Sequence, residues 1–99
     1  MASANRKRED IEAALSNKGF VSEDRDHRYW TYWTSSGKKT AVWTKTSFGS
    51  KFRTIGPPLI SAMAAQCALP KARFLDLVDC PLTREKYEEL LKTGNHISA

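Results

Sequence analysis

Eight consecutive residues, 27–34 (His-Arg-Tyr-Trp-Thr-Tyr-Trp-Thr), constrain this chain more than any other feature. Nearly all of them favour an extended backbone, because aromatic and β-branched side chains pack well on a pleated surface. The run therefore predicts a strand. Alternation along it puts His27, Tyr29, Thr31 and Trp33 on one side and Arg28, Trp30, Tyr32 and Thr34 on the other. Both sides carry aromatic rings. One must pack on helices, and the other must be left partly open or covered by a partner; the sequence does not say which is which.

The flanking segments supply the rest of an α+β fold. Asn5 is placed to cap a first helix, with Glu9 and Asp10 in its early turns. Ile11, Ala14, Leu15 and Lys18 fall on one narrow stripe of that helix, and Gly19 is its stop signal. Residues 20–23 read as a short strand. Residues 35–39, with Gly37, read as a hairpin turn, and 40–46 as the partner strand. A polar, basic loop spans 47–56. Pro57 and Pro58 suit the start of a helix whose apolar stripe is Leu59, Ile60, Met63, Ala64 and Cys67. Phe74, Leu75, Leu77 and Val78 make a short third helix, ending at Cys80-Pro81. Thr83 caps a fourth, with Leu82 meeting Tyr87, a buried face of Tyr87, Leu90 and Leu91, and Gly94 at its end. Glu85, Glu88 and Glu89 are assigned to its solvated face, and 95–99 are expected to fray. The architecture predicted is one domain over 1–99: a three-stranded antiparallel meander with helices packed on one face, α-β-β-β-α, plus C-terminal helices.

Charge is unevenly distributed along this frame. The net charge is +5, yet no acid occurs from His27 to Leu75, where Arg28, Lys38, Lys39, Lys45, Lys51, Arg53, Lys71 and Arg73 lie. A basic segment flanked by acidic ones is the electrostatic footprint of a protein that meets an anion. Membrane-spanning function is not expected: apolar runs are far shorter than the roughly 20 residues needed. Residues 1–10 carry charges and no apolar stretch, so a cytoplasmic, reducing setting is expected, with Cys67 and Cys80 as buried thiols. Neither cysteine has metal-ligand spacing, and no metal or cofactor is expected.

Two groups of residues are candidates for chemistry. His27 stands beside Asp24, Arg25 and Asp26, where an imidazole that titrates near neutrality serves as general acid or base. Lys45, Ser47, Lys51 and Arg53, with Arg28, Lys38 and Lys39, form the candidate nucleic-acid contacts. The hydroxyls of Thr44, Thr46, Ser50 and Thr54 add to them. Gly49 and Gly56 permit close approach, and the helix start after Gly56 offers its positive end. Trp30, Trp33, Trp43, Phe48 and Phe52 are candidates to stack on unpaired bases, although some of them must be core.

The helix ending at Lys18-Gly19-Phe20, followed by a meander with Asp26-His27-Arg28-Tyr29 at the entry to its central strand, resembles the HicA-type toxins. These are small messenger-RNA-cleaving ribonucleases with a double-stranded-RNA-binding-domain-like fold. The resemblance covers residues 1–68; residues 69–94 are a helical extension. The glycine-serine pair that precedes the family's histidine is Arg25-Asp26 here. The resemblance implies an RNA-binding protein of a toxin–antitoxin system. It also implies metal-free RNA cleavage with His27 catalytic, and an acidic, antitoxin-like partner over the basic face. RNA is expected before DNA. The alternative is a non-catalytic interaction module of phage or mobile-element origin that binds an acidic protein surface.

Overall fold

The aromatic run forms the central strand of a three-stranded antiparallel sheet, with helices packed on one side of it. The computed structural model describes residues 5–98. In chain order the elements are β1 (Arg6–Lys7), α1 (Arg8–Asn17), β2 (Phe20–Asp24), β3 (Arg28–Trp33), β4 (Lys39–Thr46), β5 (Thr54–Ile55), α2 (Pro57–Gln66), α3 (Lys71–Asp79) and α4 (Arg84–Thr93). The sheet order β2-β3-β4 is the α+β meander expected from the sequence. β1 and β5 form a separate antiparallel pair. Strands this short carry no periodicity, so the pattern of the sequence does not reveal them. Residues 1–4 of the charged N-terminal stretch, and Ala99, lie outside the described residues.

α1 forms with Ile11, Ala14 and Leu15 buried, but it begins differently from expectation. Lys7 rather than Asn5 is the capping residue, and no side chain caps it. Pairing of β1 with β5 leads the chain into the helix instead. Glu9 and Asp10 do sit in the first turn, near the positive end of the helix dipole. Lys18 completes the stripe: its stem is buried and its Nζ donates to the Leu82 carbonyl at 2.6 Å, tying the end of α1 to the segment before α4.

The β3–β4 hairpin closes as its turn residues require. Gly37 takes φ +88° and donates to the Thr34 carbonyl at 2.9 Å, while Thr34 N–H donates to the Lys38 carbonyl at 2.8 Å. The register shifts along the pair: Thr31 faces Trp43, but Trp33 faces Lys39. Continuing the first register would have put Ala41 there. A two-residue shift keeps every side chain on its own face. At the irregularity, Thr40 Oγ1 donates to the Tyr32 carbonyl at 2.7 Å and accepts from Val42 N–H at 3.1 Å.

Burial settles which face packs inward. Phe20, Trp30, Tyr32 and Val42 enter the core with Ile11, Leu15, Ile60, Met63, Phe74, Leu77, Tyr87 and Leu91 of the helices. Phe20, Tyr32 and Tyr87 form a ring triangle with centroids 5.4, 5.9 and 5.3 Å apart. Contacts of this kind add about 0.5–1.5 kcal/mol each beyond the area they bury. Thr83 caps α4 as expected, accepting from Lys86 N–H at 3.2 Å.

Four further expectations are corrected. Leu59 is 46% exposed, because the buried stripe of α2 is Ile60, Met63, Ala64 and Cys67, and Leu59 stands about 100° round the helix from Ile60. Cys80 is exposed at the end of α3, whereas Cys67 is buried. Glu88 is buried rather than solvated. Residues 95–98 do not fray freely: Asn95 and His96 N–H groups donate to the Lys92 and Leu91 carbonyls at 3.0 and 2.9 Å, and Ile97 packs on the core. Among the described residues, no helix is long and apolar enough to cross a membrane.

Candidate nucleic-acid interface

The side of the sheet turned away from the core carries the odd-numbered residues of β3 and β4. Three rows cross it: Glu23, Tyr29 and Lys45; then Val21, Thr31 and Trp43; then Trp33 beside Lys39. Tyr29, Thr31 and Trp33 are half-buried, Lys39, Ala41 and Lys45 exposed, and Trp43 is 40% exposed. The Tyr29 and Trp43 rings lie 5.9 Å apart, tilted by 45°. The Arg25 guanidinium sits over the Tyr29 ring, 4.2 Å from its centroid. Glu23, the acid of the first row, lies 3.6 Å from Arg25, so its charge is matched locally. Lys39 and Lys45 have no ion-pair partner among the described residues. Flat aromatic surface bordered by unmatched cations can stack unpaired bases and hold the phosphates between them.

His27 lies at one end of this face, in the turn before β3 rather than in the strand. Its ring centroid is 6.4 Å from that of Tyr29. Nδ1 is enclosed and has no hydrogen-bond partner, so proton exchange with anything on the sheet falls to Nε2. The turn around it is held firmly. Arg25 N–H donates to the His27 carbonyl at 2.9 Å, and the Tyr29 hydroxyl donates to Asp26 Oδ1 at 3.1 Å. That hydroxyl is the chief cause that holds the Asp26 carboxyl below its ordinary range, with the His27 and Asp26 backbone N–H groups adding to it.

The structure divides the other predicted contacts. Lys39 and Lys45 share the open face, and Lys38 is exposed in the hairpin turn at its edge. Arg28 points the other way. Its Nε donates to Asp24 at 2.7 Å and its Nη1 reaches Glu12 at 3.2 Å, so two carboxylates already match its charge. Glu12 also accepts from Thr46 Oγ1 at 2.7 Å, and Thr46 accepts from Trp30 Nε1 at 3.1 Å. This network, and the burial of Trp30, Thr44 and Thr46, removes those three residues from the list of exposed contacts.

Ser47, Lys51 and Arg53 lie in the segment between β4 and β5, which contains one 3-10 turn, Ser50–Phe52. Arg8 pins that segment, donating to the Ser47 and Gly49 carbonyls at 2.7 and 2.9 Å. Lys51 Nζ lies 5.3 Å from the Phe52 ring centroid. The start of α2 is a poor anion site, since Pro57 and Pro58 remove two of its free amides. Sequence reasoning places Arg25 beside His27 but not over the Tyr29 ring, and it passes over Tyr29 as a contact. The alternation that pairs Tyr29 with Trp33 was readable, but not the side that would be open. Among the described residues, no cluster of His, Cys, Asp and Glu is arranged to hold a metal ion. No known protein family, curated protein or solved structure matches this chain.

Proposed function

We propose that this protein binds single-stranded RNA across the open face of its sheet. The observation that carries the reading is the pairing of Tyr29, Trp33 and Trp43 with Lys39 and Lys45 on the face away from the helices. Stacked bases would lie on the rings and their phosphates beside the lysines. Such stacking contributes about 1–3 kcal/mol per base and tolerates any base, because each has a π face. The resemblance to HicA-type ribonucleases favours RNA over DNA and adds a reaction.

In that reaction the ribose 2′-hydroxyl attacks the adjacent phosphorus while His27 Nε2 accepts its proton. The P–O5′ bond breaks, and the departing 5′-oxygen takes a proton from solvent water, while His27 later returns its proton to solvent. The products are a 2′,3′-cyclic phosphate and a 5′-hydroxyl end, with no change of oxidation state. His27 would serve this proton transfer; what supports the reading is its imidazole beside the face, 6.4 Å from the Tyr29 ring.

The test is titration of labelled single- and double-stranded RNA and DNA with purified protein across a salt series, following strand integrity in the same samples. Single-stranded RNA is expected to bind most tightly, with affinity falling steeply as salt rises. His27→Ala is expected to keep that binding and to lower cleavage by at least about a hundredfold, the usual contribution of a general acid or base. Intact RNA with the native protein would remove the catalytic part and leave a binding protein. Absence of binding at low salt would overturn the whole reading and leave an acidic protein surface as the partner of this face.

A further inference from the structure

Lys39 borders a second feature. Behind the hairpin turn, between residues 34–41 and the chain after α4, runs a groove of about 650 Å³. That volume lies in the range of sites that take a nucleotide-sized ligand. Its walls bring together Lys38 from the turn, Lys39 at the start of β4, Lys92 from α4, and His96 and Ser98 from the chain after it. Among the described residues that line it, the acid is Glu88, and its carboxylate is already occupied. It accepts from the Tyr32 hydroxyl at 2.7 Å and from Ser35 N–H at 2.8 Å, and lies 3.4 Å from Lys92 Nζ.

A helix C-terminus would ordinarily repel an anion, because its last carbonyls are free. Here the carbonyls of Leu90, Leu91 and Lys92 accept from the N–H groups of Gly94, His96 and Asn95. Lys38 and Lys39 have no ion-pair partner among the described residues. The groove is therefore polar, cationic and continuous with the open face through Lys39, which stands opposite Trp33.

We infer that this groove is a phosphate-binding extension of the RNA site. A strand stacked on Tyr29, Trp43 and Trp33 passes over the hairpin at Lys39, and its next phosphates enter the groove against Lys38. The inference rests on the RNA-binding reading and adds a length requirement to it. A strand long enough to cover only the rings gains nothing from the groove, whereas a longer one does.

Oligouridylates of about 4 and about 12 nucleotides, spanning the site sizes usual for single-strand binders, are titrated against four proteins. These are the native chain, Lys38→Glu, Ser98→Glu and Lys71→Glu. Lys38, Ser98 and Lys71 are all exposed, so the substitutions leave the core untouched, and Lys71 at the start of α3 controls for the change in net charge. The expected result is that Lys38→Glu and Ser98→Glu weaken the long strand about tenfold or more. They should leave the short one within about twofold of the Lys71→Glu protein, and the salt slope for the long strand should fall by about one for Lys38→Glu. Equal affinity of Lys38→Glu and Lys71→Glu for the long strand overturns the groove while leaving the sheet face standing. Failure of both strands to bind the native chain overturns the sheet reading, and the groove with it.

Discussion

Glu88 shows how a residue's surroundings outweigh its position on a helix. Three glutamates in α4 suggest a solvated face, yet Glu88 is 7% exposed. Its carboxylate receives the Tyr32 hydroxyl, the Ser35 N–H and the Ser35 hydroxyl, with Lys92 one turn along. The Tyr32 hydrogen bond is the chief cause that holds its pKa down at about 2, with Ser35 and Lys92 adding to it against the opposing effect of burial. Burial and this same carboxylate push the Tyr32 phenol up to about 12. The folded pKa of Glu88 lies below the unfolded one, so its contribution is fully present above the unfolded value of about 4.3. It is lost as pH falls from there through about 2. Glu88→Gln is expected to lower stability by roughly 1–2 kcal/mol at neutral pH, since a charged acceptor becomes a neutral one. Urea midpoints of the two proteins, measured from neutrality down to acid, should converge as the carboxylate protonates. A gap that stays constant with pH would show that the carboxylate's charge is not what the network uses.

At the scale of elements, the meander depends on an irregularity in the β3–β4 ladder. The Thr40 hydroxyl serves the Tyr32 carbonyl and the Val42 N–H at once. Thr40→Val keeps the shape and the β preference but leaves both groups without that partner, at a cost of about 1–3 kcal/mol. The check is the urea midpoint with an unchanged m-value; a loss under about 0.5 kcal/mol would mean that water replaces the hydroxyl. The elements themselves were legible in the sequence where period or punctuation was strong. The stripe of α1, the aromatic β3, Gly37 in the turn, the Thr83 cap and the prolines that open α2 all stand where the sequence puts them. What stayed hidden depends on distant partners. The β1–β5 pair is too short to show a period, and α1 starts from that pair rather than from Asn5. Exposure of Cys80 and burial of Glu88 follow from how helices meet the rest of the fold. The candidate site was legible in its residue types and charge. Its location was not, because Trp30 and Trp33 look alike until helices cover one of them.

For the whole molecule, that covering is the decisive event: helices on one side of an aromatic sheet sort its three tryptophans by environment. Trp30 is 6% exposed and bonded to Thr46, Trp33 is half-buried at the hairpin end, and Trp43 is 40% exposed beside Tyr29. A base stacked on an indole quenches its emission, so RNA on the open face should quench Trp43 and Trp33 and spare Trp30. Saturating oligouridylate is expected to remove part of the protein's tryptophan emission. Trp43→Phe should show a much smaller fractional loss while still binding through the ring that remains. Trp43→Ala should also weaken binding by about 1–3 kcal/mol, the contribution of one stacked base. Neither change touches the core, so thermal unfolding should stay close to that of the native chain. If the quench persists unaltered in both variants, the strand lies elsewhere, and the basic segment between β4 and β5 becomes the place to look. If the quench falls with Trp43 while the salt slope stays unchanged, stacking and phosphate contact are separable, as expected for rings in the middle of the face and lysines at its margins.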